Sequence, residues 1–159
     1  MSESILNRRH LLLTGLAFTT LPALPLRAAG APKIHVAKDP NCGCCTGWME
    51  ILYGAGFKVS YEHLEQDAMA KLKADVGISE DMASCHTAVV DGYIIEGHVP
   101  PADILRLLDE RPEALGLSVP GMPWGSPGMG PESEREAYQV FLIHRDGATE
   151  VFTDYPAAG

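Results

Sequence analysis

Positive charge is scarce in this sequence: 12 lysines and arginines stand against 21 aspartates and glutamates, a formal charge of −9. Phosphate backbones are gripped through basic faces, so this balance argues against a nucleic-acid partner. It reads as an ordinary solvated acidic surface, with only a weak, salt-screened pull on cations. An apolar run long enough to cross a bilayer is missing too. The stretch from Leu11 is interrupted by Pro22 and Pro25 and is too short to span. Also missing is a second CxxC pair. The four cysteines contain one such spacing, Cys42 to Cys45, whereas the familiar zinc pattern uses two separated pairs.

What is present fits one globular domain with its own core: 159 residues, 46% hydrophobic and 21% charged. Residues 1–31 read as an export signal, with basic Arg8 and Arg9, the apolar run, and a small-residue exit around Ala28 to Ala31. Twin arginines suit the Tat route, but the usual aromatic after them is replaced by His10 and Leu11, so Tat and Sec both stay open. The mature chain is expected in the periplasm with no stable membrane insertion. Cleavage removes Arg8, Arg9, Arg27 and Glu3. Twelve basic residues less three, and twenty-one acidic less one, leave a charge of −11. All four cysteines remain, and in an oxidising compartment an even count first suggests two disulfides.

The elements follow from periodicity. Residues 33–38 alternate as a strand, and Trp48, Ile51, Leu52 and Ala55 recur at helical spacing before Gly54 and Gly56. A second strand spans 57–62, and Asp67 is placed to cap a helix carrying Met69 and Leu72. Asp91–Gly92 joins two β-rich runs over 87–97 as a hairpin. Pro100 and Pro101 open a third helix, with Ile104, Leu105 and Leu108 expected on its buried face and Pro112 ending it. The order β-α-β-α-β-β-α predicts an α/β sheet flanked by helices, and a thioredoxin-like domain has this order. That domain is expected over 32–159, with 113–159 as a C-terminal extension. Eight of the fourteen residues from Ser118 to Pro131 are glycine or proline, and the segment carries PGM twice, at 120–122 and 127–129. Such a stretch is a linker or a shaped functional loop. A last hairpin, 137–144 with 149–153, is expected to join the sheet.

The cysteines carry the chemistry. At a helix N-terminus the dipole and free N–H groups favour thiolate over thiol. Thiolate serves both disulfide exchange and metal binding. A thiol oxidoreductase needs only Cys42 and Cys45, and Cys44 beside them invites scrambled pairing. Three sulfurs in one turn read more naturally as a ligand set. Cys44 and Cys45 point about 100° apart on a helix, which suits ligating different ions. Cys85, in the loop entering the third strand, is expected to face the cluster from forty residues away. Four sulfurs suit zinc or iron–sulfur as well as copper, and the thioethers of Met122 and Met129 tilt the set towards Cu(I). Met49, Met69 and Met82 are read as core. His86 and His98 are candidates for a ligand role or for support behind the ligands. His35, His63 and His144 are read as surface. No catalytic residue is assigned.

With CGCCTGW, SCHTAVVDGYIIEGHVPPADI and PGMPWGSPGM in order, residues 33–153 closely resemble the CopG-type CxCC family of Gram-negative bacteria. The resemblance implies a thioredoxin-like periplasmic protein of copper resistance whose extension helps bind a copper–thiolate cluster. It implies Cys42, Cys44, Cys45 and Cys85 as cluster sulfurs, with more than one Cu(I), and Met122 and Met129 on the extension. It also implies work alongside copper efflux or resistance proteins. One departure is Gly130, where the family more often has an acidic residue, a change expected to loosen the loop at Met129. The leading expectation is a polynuclear Cu(I) site that also interconverts Cu(I) and Cu(II). The alternatives are a thiol–disulfide oxidoreductase using Cys42 and Cys45, and a disulfide-stapled binding module.

Overall fold

The computed structural model describes residues 30–159; the expected export signal over 1–31, except for its last two residues, lies outside them. The order of elements is β1 (Lys33–Lys38), α1 (Gly43–Gly54), β2 (Lys58–His63), α2 (Gln66–Asp75), β3 (His86–Val90), β4 (Tyr93–Glu96) and α3 (Pro101–Glu110). After these come β5 (Gly116–Ser118), β6 (Tyr138–Ile143) and β7 (Thr149–Tyr155). The expected α/β class and element order hold. The strands form one sheet in the order β2-β1-β3-β4-β5-β6-β7. Pairs β1/β2 and β4/β5 are parallel and the rest antiparallel. The C-terminal hairpin therefore extends the sheet, through the short strand β5 that periodicity does not reveal in three residues.

Alternation along the strands sorts side chains to two faces. On one face, Ile34, Val36, Ala88, Val90, Ile95, Leu117 and Val140 pack with Trp48, Met49 and Leu52 of α1 and Ile104 and Leu107 of α3. On the other, Ile94 and Ile143 meet Ile78, with Val76, Met82 and Leu115 partly buried around them. Trp48 also donates its indole N–H to the Val99 carbonyl at 2.9 Å, fixing α1 against the connection that leads into α3. The Asp91–Gly92 turn has positive φ at both residues (47° and 89°), as a two-residue hairpin loop requires.

The helical spacing in α1 holds, and two local expectations, for α3 and α2, need correction. The buried side chains of α1 are Cys45, Trp48, Met49 and Leu52, with Ile51 exposed, because the cysteine turn itself faces the core. In α3 the buried positions are Asp103, Ile104 and Leu107, while Leu105 is exposed. Asp103 is buried because it accepts hydrogen bonds from Thr153 (2.5 Å) and Tyr155 (2.7 Å) of β7, a partnership that local periodicity cannot foresee. Glu65, rather than Asp67, stands at the N-cap of α2; Asp67 lies in the first turn, where its charge still suits the helix dipole.

Candidate metal centre

Cys42 is the N-cap of α1. Its extended backbone ends the loop after β1, and its sulfur accepts from the Cys45 N–H at 3.3 Å, the place a Ser or Asp oxygen often takes. The next turn brings Cys45 round to the same side, and the two are joined as a disulfide. Cys44 and Cys85 remain free thiols, so the doubly stapled module is corrected to one cross-link and two thiols. Cys44 Sγ lies 3.5 Å from Cys42 Sγ, and Cys85 Sγ lies 3.6 Å from Cys45 Sγ. The order in space is thiol, disulfide, thiol. All four sulfurs lie within 4.8 Å of one another.

Cys85 arrives from the other half of the fold because its loop is anchored. Glu96 on β4 has no exposed surface, and it accepts from Lys73 of α2 at 2.5 Å, from Thr87 at 2.7 Å and from the Ser84 N–H at 2.6 Å. Burial pushes the Glu96 carboxyl up, while Lys73 and these donors pull it down. The network holds the residue immediately before Cys85.

Both histidine candidates are fully buried beside Cys85. His98 Nδ1 lies 2.7 Å from the Pro127 carbonyl, which can only accept, so Nδ1 carries the proton. The bare Nε2 lone pair then faces Cys85 Sγ at 3.1 Å. A thiol has one proton to give, and it goes to His98 Nε2. His86 Nδ1, 3.3 Å from the same sulfur, is then the donor to it. That leaves His86 Nε2 buried with no hydrogen-bond partner, at a cost of about 1–3 kcal/mol. Cys85, His86 and His98 form a second group with ligand atoms within 4.8 Å, sharing one sulfur with the first.

The electrostatics favour the uncharged forms of Cys85, His86 and His98. Burial, and then the neighbouring Cys44, push the Cys85 thiol up to about 12. Burial, reinforced by His98 and Lys73, holds His86 well below its ordinary value of 6.5, against the pull of the nearby Gly97 carbonyl. His98 is lowered by burial too, against the pull of the Pro127 carbonyl.

The Gly/Pro segment is a shaped loop. Gly121 donates to the Ala83 carbonyl at 3.0 Å and accepts from the Ser84 hydroxyl, forming a parallel bridge beside the Cys85 loop. Met122 is 55% exposed, Met129 half-buried. Gly128 crosses α1 backbone to backbone: a Cβ there would lie 2.6 Å from the Trp48 nitrogen and 2.8 Å from the Cys44 carbonyl oxygen, and its φ is +87°. Gly130 has φ +116°, and a Cβ would meet the Trp124 ring at 2.6 Å. At the position where the resemblance led us to expect loosening, the loop is thus tightened by an indole laid over a glycine. What sequence reasoning missed is Pro127, which acts through its carbonyl, together with the Glu96 and Lys73 pair. The apolar runs of β3 and β4 hide Glu96, a carboxylate buried at the end of β4.

Residues 82–129 match the model of a protein family of unknown function, DUF411. No curated protein matches the chain. A solved structure of copper resistance protein CopG, Form 2, is similar at 48% identity and a TM-score of 0.73, covering 79% of this chain and 99% of that one. Form 1 gives 46% identity and a TM-score of 0.74, with 79% and 98% covered. With nearly all of those relatives covered at close to half identity, the chain belongs to the CopG copper-resistance family.

Proposed function

We propose that this is an exported, periplasmic copper-binding protein of copper resistance, carrying more than one Cu(I) on the thiolates of Cys42, Cys44, Cys45 and Cys85. The carrying observation is the convergence of four sulfurs, one from forty residues away, within 4.8 Å. Soft sulfur donors with buried imidazoles suit Cu(I) well. Met129 and Met122 add thioether donors from the extension, and His98 offers its bare Nε2 next to Cys85. The thioredoxin-like reading is supported by a CxxC turn where the first strand of a β-α-β unit meets its helix. Copper efflux or resistance proteins are the partners this reading implies.

The disulfide adds redox chemistry. Two Cu(II) ions each take one electron as Cys42 and Cys45 lose two protons and join, giving two Cu(I) and one S–S bond. Disulfide sulfurs are poor ligands, so oxidation cuts the thiolate set from four to two. Holding copper on all four thiolates and storing the disulfide exclude one another. The test is Cu(I) loading of the fully reduced chain, followed by metal analysis. More than one copper per chain is expected, and Cys44→Ser or Cys85→Ser should collapse the stoichiometry. Binding of zinc alone, or less than one copper per chain, refutes the proposal. The Cys42–Cys45 bond also favours a second reading, a thiol–disulfide oxidoreductase, in which those two variants leave disulfide exchange intact.

A further inference from the structure

The disulfide has one open side. Cys45 has no exposed surface, but Cys42 lines a cleft of about 450 Å³ with Asn41, Gln66, Met69, Ala70 and Cys85. Thiol–disulfide exchange requires a thiolate to reach one sulfur of the bond, and the cleft gives that access to Cys42. The cleft is of small-molecule size, within the range of about 300–1,000 Å³ usual for such pockets. A protein partner instead needs a surface of about 800 Å² on each side, and an extended segment commonly docks by pairing with a free backbone edge. Beside Cys85 that edge is taken from within: the Ala83 carbonyl is held by the Gly121 N–H, and the Ser84 N–H by Glu96.

We propose that the cleft is the binding site for a small, amide-bearing thiol that reduces the Cys42–Cys45 disulfide. Asn41 and Gln66 are both exposed and offer amide donors and acceptors, Met69 and Ala70 give an apolar wall, Asp39 adds a carboxylate that accepts from the Asn41 N–H at 2.7 Å, and the charge of Lys73 is matched by Glu96. The incoming thiolate attacks Cys42 Sγ, the bond to Cys45 breaks, and Cys45 leaves with the electron pair and takes a proton. A second thiolate then attacks the external sulfur of the mixed disulfide. Cys42 leaves as thiolate, at the helix N-terminus where the Cys45 N–H already points at it from 3.3 Å. Two small thiolates become one small disulfide, their two electrons pass to Cys42 and Cys45, and the one proton that Cys45 takes comes from solvent. This deepens the redox reading above by naming the class of reductant, but its chemistry needs no copper.

The test therefore uses the metal-free chain in its disulfide form, with alkylation and mass spectrometry to count thiols. Reduced glutathione, 2-mercaptoethanol and reduced thioredoxin are compared at matched thiolate concentration. Glutathione should react at least tenfold faster than 2-mercaptoethanol, with a rate that saturates, and faster than thioredoxin. Replacing both surface amides (Asn41→Ala with Gln66→Ala) should bring glutathione to within twofold of 2-mercaptoethanol. A linear glutathione rate with no advantage, or a faster reaction with thioredoxin, overturns the proposal and leaves the copper stoichiometry experiment unaffected.

Discussion

The two Pro-Gly-Met triplets have the same sequence and do different work. The first pairs its glycine with the Cys85 loop and leaves Met122 in solvent. The second lays Gly128 across the α1 backbone, aims the Pro127 carbonyl at His98 and keeps Met129 half-buried. The lesson is that the repeated unit acts first through its backbone. Positive φ and the missing Cβ let the chain lie close to other main chain, and proline leaves a carbonyl with no N–H beside it. On the proposed reading, thioether donors are added to a scaffold that is already specific.

The most direct way to break the comparison is Gly128→Val against Gly121→Ala. A side chain at 128 must collide with Trp48 and Cys44 main-chain atoms as well as adopt a left-handed φ, whereas a Cβ at 121 meets nothing within 4 Å. Gly128→Val should cost about 3 kcal/mol or more of stability and undock the second motif. Gly121→Ala should cost about 1 kcal/mol, from φ alone. Chemical denaturation resolves the two, and equal losses would erase the distinction.

Acid should come next in effect. His86 and His98 both have folded-state values below 6.5, so the unfolded chain binds protons first as pH falls. The stability they contribute is complete above about pH 6.5 and is lost as pH drops from there towards their lowered values. Denaturation midpoints of metal-free protein at pH 7.5 and pH 5 should show this fall, and His98→Gln should flatten it. The hydrogen-bond partners of the first motif, Ala83 and Ser84, carry no titratable side chain.

The smallest effect sharpens the comparison at the thioethers. Met129→Leu should weaken retention of Cu(I) against a competing chelator by about tenfold and Met122→Leu by less, each with an unchanged melting temperature. A larger loss at Met122 would mean that the exposed motif folds in on loading.

Much of this was legible beforehand because it is local. Alternation marked β1, β3 and β4, Asp91–Gly92 marked the hairpin, and one turn of helix necessarily gathers Cys42, Cys44 and Cys45. Cys85 was legible through the expected order of strands, and the sheet places it as that order requires. The rest depends on long-range partners. Asp103 is buried by hydroxyls fifty residues away. The redox state of the cysteines was a matter of choosing among pairings that spacing alone leaves open. Backbone carbonyls such as that of Pro127 leave no trace in residue type at all.

The ion pair between Lys73 and Glu96 sets a constraint on how this chain can change over generations. Losing the ammonium alone would strand a carboxylate in the interior, and losing the carboxylate alone would strand the ammonium; either single step costs about 3–5 kcal/mol. The two positions are therefore bound to be exchanged together, and a descendant with leucine at one should be found with an uncharged residue at the other.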